Sequence, residues 1–130
     1  MAVGYHYLIF RYLETVDMWR KGNAFDDGKA TGGWIISHFI DSENALRRST
    51  DVEVKWGVHP SGDTRAAWAD DDARTTILLI VSGRFRLDLP DESIVLERQG
   101  DYVMWGSGFR HSWHAEKDSV VITVRWPVVV

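Results

Sequence analysis

The residue types that bind metals or small anions occur in two short segments of this chain. His111 opens the segment His111-Ser-Trp-His114, and Asp70, Asp71 and Asp72 precede Arg74. Successive side chains of a strand point to opposite faces, so a strand at residues 111–114 places His111 and Trp113 together and His114 opposite them. If that face points inward, the imidazole and the indole would suit a small-molecule pocket, because such pockets combine aromatic walls with few polar groups.

His111, Asp70 and Asp72 are the candidate metal ligands. In an extended segment Asp70 and Asp72 share a face, and two carboxylates with one imidazole suit iron or manganese. Three consecutive aspartates are equally typical of a solvated loop, and a metal with open coordination positions needs about three protein ligands. We therefore expect no metal cofactor, and the alternative is a divalent metal such as iron or manganese on these three residues.

Arg74 is the candidate anion-binding residue. It lies two positions before Thr76, so on a strand both side chains point to the same face. A buried arginine needs an anionic partner, which a ligand carboxylate or the Asp70 and Asp72 carboxylates would supply. The alternative is that the Arg74 head group lies in solvent at the rim of the fold.

Short strands that are separated by turn residues must position these groups. Segment 52–58 alternates apolar and polar residues, which is typical of a half-buried strand. Repeated short strands with glycine, proline and aspartate between them predict a sandwich or a barrel. The predicted strands are 34–40, 52–58, 75–81, 84–89, 94–96, 102–105, 111–114 and 120–126.

Residues 1–33 are predicted to form an N-terminal extension and lead-in, and residues 34–130 the β-barrel domain. Tyr5, Tyr7 and Ile9 alternate as in a strand. The spacing fits a short amphipathic helix equally well, and the apolar face of that helix would consist of Leu8, Ile9, Tyr12, Leu13 and Val16.

Composition narrows the class of partner. The chain has 130 residues, enough for one domain with its own core, and its net charge of −4 gives no basic footprint for nucleic acid. It has no cysteine, which fits a reducing cytoplasm, and no apolar run as long as a membrane span. We expect a cytoplasmic protein without nucleic-acid or membrane partners. Its seven tryptophans suit a barrel interior or a ligand cavity.

The glycine and histidine spacing resembles the two motifs of the cupin superfamily. Gly83 matches the glycine that ends the first motif, and Gly100, Gly108 and His111 match the second motif at its usual spacing. The resemblance covers residues 34–127 and includes a turn at residues 60–62. It implies an all-β, double-stranded β-helix (jelly-roll) barrel with a short N-terminal extension.

The chain departs from the family pattern at most metal-ligand positions. Thr76 stands where the family has glutamate, and no histidine occurs between Trp68 and Asp72, where the family has His-x-His. In the second motif, Gly106 replaces proline and Ala115 replaces asparagine. Of the four ligands that the resemblance implies, only His111 remains.

These observations predict a metal-independent barrel that binds a small apolar or carboxylate-bearing metabolite. One alternative is an enzyme, either a metal-dependent oxygenase or lyase with substituted ligands, or a metal-free isomerase or cyclase with His111 as acid or base. Another is a structural module, since barrels of this type pair through edge strands, and we expect a homodimer. The predicted ligand-binding residues are Trp68, Arg74, Tyr102, Trp105, His111 and Trp113.

Overall fold

The structure, a computed structural model, describes residues 19–41, 43, 45–65, 67–68 and 73–128. Residues 1–18 of the predicted N-terminal extension lie outside this part of the chain, and so do the candidate ligands Asp70 and Asp72. No helix in the described ranges is long and apolar enough to cross a membrane.

One short helix precedes eight strands. Helix α1 (Ala24–Gly28) begins at Asn23, whose side chain accepts a hydrogen bond from the Asp26 amide at 3.1 Å, and it continues into a 3-10 turn over Lys29–Thr31. The strands are β1 (Trp34–Ile36), β2 (Glu53–His59), β3 (Thr75–Ser82), β4 (Phe85–Asp88), β5 (Ser93–Leu96), β6 (Tyr102–Trp105), β7 (Ser112–Ala115) and β8 (Ser119–Trp126).

The prediction of a strand over residues 34–40 was wrong in its length. Strand β1 ends at Ile36, because the Ser37 backbone instead bonds to the segment at residues 47–49 and forms an isolated parallel bridge with Arg48. The Ser37 side chain is fully buried and donates a hydrogen bond to Glu53. A buried polar contact therefore ends the strand that the apolar sequence favoured.

The strands form two antiparallel sheets. The order is β1-β2-β8-β3-β6 in the five-stranded sheet and β5-β4-β7 in the three-stranded sheet. An isolated bridge between Thr64 and His114 extends the smaller sheet beyond β7. The all-β jelly-roll architecture predicted from the sequence is confirmed.

Cross-strand register gives the larger sheet two different faces. Glu53, Arg125, Thr76 and Trp105 are paired in one row, which faces the smaller sheet. A second inward-facing row lies next to it and starts at β1. Its members are Trp34, Lys55, Thr123, Leu78 and Val103. One end of the barrel interior is therefore polar and charged.

The outward face of the same sheet is apolar. One row there consists of Val54, Val124, Ile77 and Met104. The neighbouring row consists of Trp56, Ile122, Leu79 and Tyr102. On β2 the apolar side chains thus point away from the barrel interior. In most antiparallel sheets with one solvated face, the apolar side chains instead point towards the core.

The other end of the interior is a packed apolar core. Phe85 and Leu87 from β4 are almost completely buried against the inward side chains of the larger sheet. Gly83 makes the tight turn between β3 and β4 at a φ of 100°, where a Cβ would lie 2.2 Å from the Asp118 carbonyl oxygen. The core members are Leu78, Ile80, Phe85, Leu87, Leu96, Val103, Trp105, Ala115 and Val121.

Candidate functional site

A cavity of about 120 Å³ lies between the two sheets at the polar end of the barrel. For scale, an apolar cavity of about 150 Å³ holds one benzene molecule, so this space accommodates a ligand of roughly five non-hydrogen atoms. The lining residues are Trp34, Lys55, Arg65, Thr76, Leu78, Trp105, His111, Trp113, Thr123 and Arg125.

Three cationic side chains converge on the cavity: Lys55, Arg65 and Arg125. Burial lowers the pKa of Lys55, and the charges of Arg125 and Arg65 lower it further, against a smaller opposing effect of Asp63. Among the residues that the structure describes, no carboxylate forms an ion pair with the Lys55 ammonium, whose nitrogen lies 5.7 Å from the centroid of the Trp34 ring. An anionic ligand would relieve this repulsion between cations.

A buried carboxylate holds Arg125 in place. The Oε1 atom of Glu53 accepts hydrogen bonds from Arg74 Nη1 at 2.7 Å and from Arg125 Nε at 3.0 Å. Its Oε2 atom accepts one from the Ser37 hydroxyl at 2.5 Å. Burial raises the pKa of Glu53, but the Ser37 hydrogen bond and the two guanidinium groups outweigh burial, so the pKa lies below its ordinary value. Glu53 therefore stays ionised as the counter-ion of both arginines.

Aromatic rings form the walls of the cavity. The rings of Trp105 and His111 lie with their centroids 4.5 Å apart, and the guanidinium carbon of Arg125 lies 4.0 Å from the centroid of the Trp34 ring. Trp113 stacks on Phe85 with a centroid distance of 5.3 Å. Rigid rings next to cations suit a ligand that has an apolar body and an anionic head.

His59 supports the Trp113 wall. Its ring lies 4.5 Å from that of Trp113 and 5.3 Å from that of Phe85, between centroids, and its Nδ1 atom is 2.8 Å from the Asp63 carboxylate. The structure places His59 in the core, where Asp63 fixes the orientation of the ring.

Three of the six residues predicted to bind a ligand line the cavity. His111, Trp105 and Trp113 come from β6 and β7 and the turn between them, and His114 lies on the opposite face of β7 from Trp113, as the alternation predicted. These side chains share one cavity, although their role in binding stays a prediction.

The other three predicted ligand-binding residues lie elsewhere. Arg74 does not line the cavity, and Glu53 is one of its partners. Tyr102 is 58% exposed on the outward face of β6, because it alternates with the inward residues Val103 and Trp105. Trp68 is exposed, and the Arg110 guanidinium carbon lies 5.7 Å from its ring centroid.

The described residues do not fit a resident metal ion. No group of three or more histidine, aspartate or glutamate side chains that could hold a metal occurs within the described ranges. Thr76 occupies the inward position where the family resemblance implies glutamate, and buried Ala115 occupies that of asparagine. Lys55, Arg65 and Arg125 would also repel a divalent cation.

Sequence reasoning missed the charged residues of the cavity. Lys55 lies between Val54 and Trp56 on β2, and Arg125 lies between Val124 and Trp126 on β8. This alternation is that of a solvated strand face. The register of the sheet turns this face inward. The one available signal was the segment at residues 53–59, in which every second residue is polar or glycine. Six of the seven tryptophans lie outside this segment and could supply bulk for an interior.

Similarity to solved structures identifies the fold. KdgF from a Halomonas species has 23% identity and a TM-score of 0.56, with 62% of this chain and 73% of that chain covered. A cupin protein from Bacteroides fragilis has 21% identity and a TM-score of 0.54, with 61% and 68% covered. A cupin superfamily protein from Desulfitobacterium hafniense has 16% identity and a TM-score of 0.54, with 63% and 72% covered.

The chain has the cupin fold. This confirms the family resemblance at the level of the barrel, and at these identities the likeness concerns the fold alone. No family model and no curated protein sequence matches the chain. Function must therefore be argued from the cavity of this cupin barrel.

Proposed function

We propose that this cupin barrel binds a small carboxylate-bearing metabolite in its cavity without a metal. The observation that carries the proposal is the convergence of Lys55, Arg65 and Arg125 on a space bounded by tryptophan rings. The ligand carboxylate would lie among the three cations, and its apolar part would contact Trp105 and Trp113. Charge-assisted hydrogen bonds to arginine are among the strongest contacts that a carboxylate makes.

The balance of charge supports this orientation. Among the described residues around the cavity, Glu53 is the counter-ion of Arg74 and Arg125, and Asp63 is bonded to His59. Lys55 and Arg65 carry charge beyond what these two carboxylates offset. Bringing like charges together in a partly dehydrated space costs free energy, and an anion recovers that cost on binding.

Thermal shift and calorimetry with matched ligands test the proposal. At constant ionic strength, propionate and lactate should raise Tm and bind, whereas propanamide, of similar size but neutral, should not. Lys55→Met should weaken binding roughly ten- to a hundred-fold, the effect of one charge-assisted contact. Lys117→Met, on an exposed lysine in the turn before β8, is the matched control and should bind as the wild type does. Equal affinity for acid and amide would contradict the proposal.

Metal analysis of untagged protein tests the proposal that the barrel binds its ligand without a metal. We expect metal well below one equivalent, unchanged in His111→Ala. Iron or manganese near one equivalent, lost in that variant, would instead support the alternative of an enzyme with His111, Asp70 and Asp72 as ligands.

We further propose that two copies of the chain pair through the outward face of the larger sheet. Its two central rows contain no charged side chain, and exposed members at its margins include Val58, Tyr102 and Met104. A contiguous apolar patch on a protein surface often marks an interaction site. An uncharged, continuous sheet face suits an identical face better than a charged partner, because sheets pack face to face through interdigitated apolar side chains.

Analytical ultracentrifugation tests the pairing. We expect a dimer that Met104→Glu converts to a monomer, because the new charge would be buried at the interface. Glu92→Lys, an exposed change in the turn before β5, is the control and should remain dimeric. A monomeric wild type would contradict this proposal and leave the ligand proposal untouched. The cytoplasmic location and the lack of nucleic-acid and membrane partners stay predictions from composition.

A further inference from the structure

Lys55 differs from the other lysines of the chain in its surroundings. All four lysines lie in the described ranges, and three of them are exposed: Lys21, Lys29 and Lys117. Lys55 is half-buried on the inward face of β2 and lines the cavity. Its hydrocarbon stem passes Gly33, where a Cβ would lie 3.3 Å from Lys55 Cγ and 3.4 Å from Cε. A Cβ at Gly33 would crowd this stem, so the glycine leaves room for the Lys55 side chain.

The neighbours of Lys55 are those of an amine nucleophile. The cations Arg65 and Arg125 share the cavity with it, and within the described ranges no carboxylate pairs with its ammonium. Burial and these two charges lower its pKa, so more of the neutral amine is present at a given pH than for an exposed lysine. A lysine among cations and partly removed from water is activated in this way for imine formation with carbonyl compounds.

We propose that Lys55 forms a Schiff base with the carbonyl carbon of a small oxo acid whose carboxylate lies between Arg65 and Arg125. The inference rests on the proposed function, because the same cations hold the carboxylate. It adds to that function by naming the ligand as an oxo acid and Lys55 Nζ as the atom that bonds to it.

The reaction needs no oxidant or reductant. The Nζ lone pair of neutral Lys55 attacks the carbonyl carbon, the C=O π pair moves to oxygen, and the amine proton is transferred to that oxygen. The resulting carbinolamine loses its hydroxyl group with one further proton as water, and the nitrogen lone pair forms the C=N bond. His111 lines the same cavity, and we assign it to carry both amine protons to the oxygen, one when the carbinolamine forms and one when water leaves, so that His111 returns to its starting protonation state.

Reductive trapping with pyruvate tests the inference. Sodium cyanoborohydride transfers hydride to the iminium carbon and converts the Schiff base into a stable secondary amine. We expect one reduced pyruvate adduct per folded chain by intact mass, assigned to Lys55 by peptide mapping. Lactate, which has the carboxylate without the ketone, should protect Lys55, and acetone, which has the ketone without the carboxylate, should label it poorly. In urea-unfolded protein the label should spread over all four lysines.

Two variants separate the covalent step from binding. Lys55→Arg keeps the positive charge and should lose the adduct while still binding lactate in calorimetry. Lys117→Arg should label as the wild type does.

Pyruvate and lactate binding without an adduct on Lys55 would overturn the Schiff base and leave the anion-binding function standing. Failure of both acids to bind would overturn the proposed function itself. An adduct spread evenly over the lysines of the folded protein would also overturn the assignment of Lys55.

Discussion

Replacing Glu53 with glutamine should destabilise the protein strongly, although Glu53 lies in a strand whose sequence alternates like a solvated one. The residue is fully buried and accepts three hydrogen bonds, from Ser37, Arg74 and Arg125. Removing one partner of a buried ion pair costs about 3–5 kcal/mol. The Arg74 and Arg125 side chains are 16% and 24% exposed, so in the variant water would partly solvate the two cations that have lost the Glu53 charge. We therefore expect the lower end, about 3 kcal/mol.

Thermal and urea unfolding measure this effect. For a chain of 130 residues the entropy of unfolding is about 0.27 kcal/mol/K, so 3 kcal/mol corresponds to a Tm lower by about 10 °C. The matched control is Glu97→Gln, which also removes a carboxylate from an arginine, Arg84, but at a side chain that is 59% exposed. That variant should lose less than about 1 kcal/mol. Equal losses in the two variants would refute the reasoning that burial gives the Glu53 network its importance.

The pH dependence gives an independent check. Because the pKa of Glu53 in the folded protein lies below its ordinary value of 4.5, its ionised form stabilises the fold fully above that value. The contribution is lost as the pH falls through the lowered folded pKa. The difference in Tm between wild type and Glu53→Gln should therefore be widest above pH 4.5 and narrow on further acidification. A constant difference across this range would show that the carboxylate charge is not responsible.

Two other variants test the cavity and the turns. Lys55→Met should raise Tm at neutral pH while weakening carboxylate binding. Because the pKa of Lys55 is lowered, its charged form destabilises the fold at any pH below the ordinary pKa of 10.5. Calorimetric scans measure the change in Tm, and a lower Tm would contradict this prediction. Gly83→Ala should cost about 1–3 kcal/mol more than Gly100→Ala in urea unfolding. Both positions have positive φ, but a Cβ at Gly83 meets the Asp118 carbonyl and one at Gly100 meets nothing; equal costs would show that the contact is relieved without strain.

The strand pattern of the barrel was largely predictable from the sequence, but the chemistry of its cavity was not. Thr75–Ser82 and Tyr102–Trp105 lie within a residue of their predicted limits, because glycine and aspartate turns delimit apolar runs there. The face that a strand turns inward depends on its partners. The polar side of β2 faces the cavity because Glu53 is paired with Arg125, 72 positions later in the chain. Alternation within one strand contains no information about such a distant partner.

The position of β8 has a consequence for how the chain acquires its structure. This strand lies between β2 and β3 in the larger sheet, yet it is the last of the eight in sequence. Until residues 119–126 have been synthesised, β2 and β3 lack the neighbour that joins them, and Glu53 lacks the Arg125 charge. Because loop closure over such separations is slow, β2 and β3 each keep one unpaired edge until β8 is available, although β1 and β6 can pair with their other edges. The open edges of β2 and β3 are therefore the parts of the larger sheet that can pair with another chain until β8 has been synthesised.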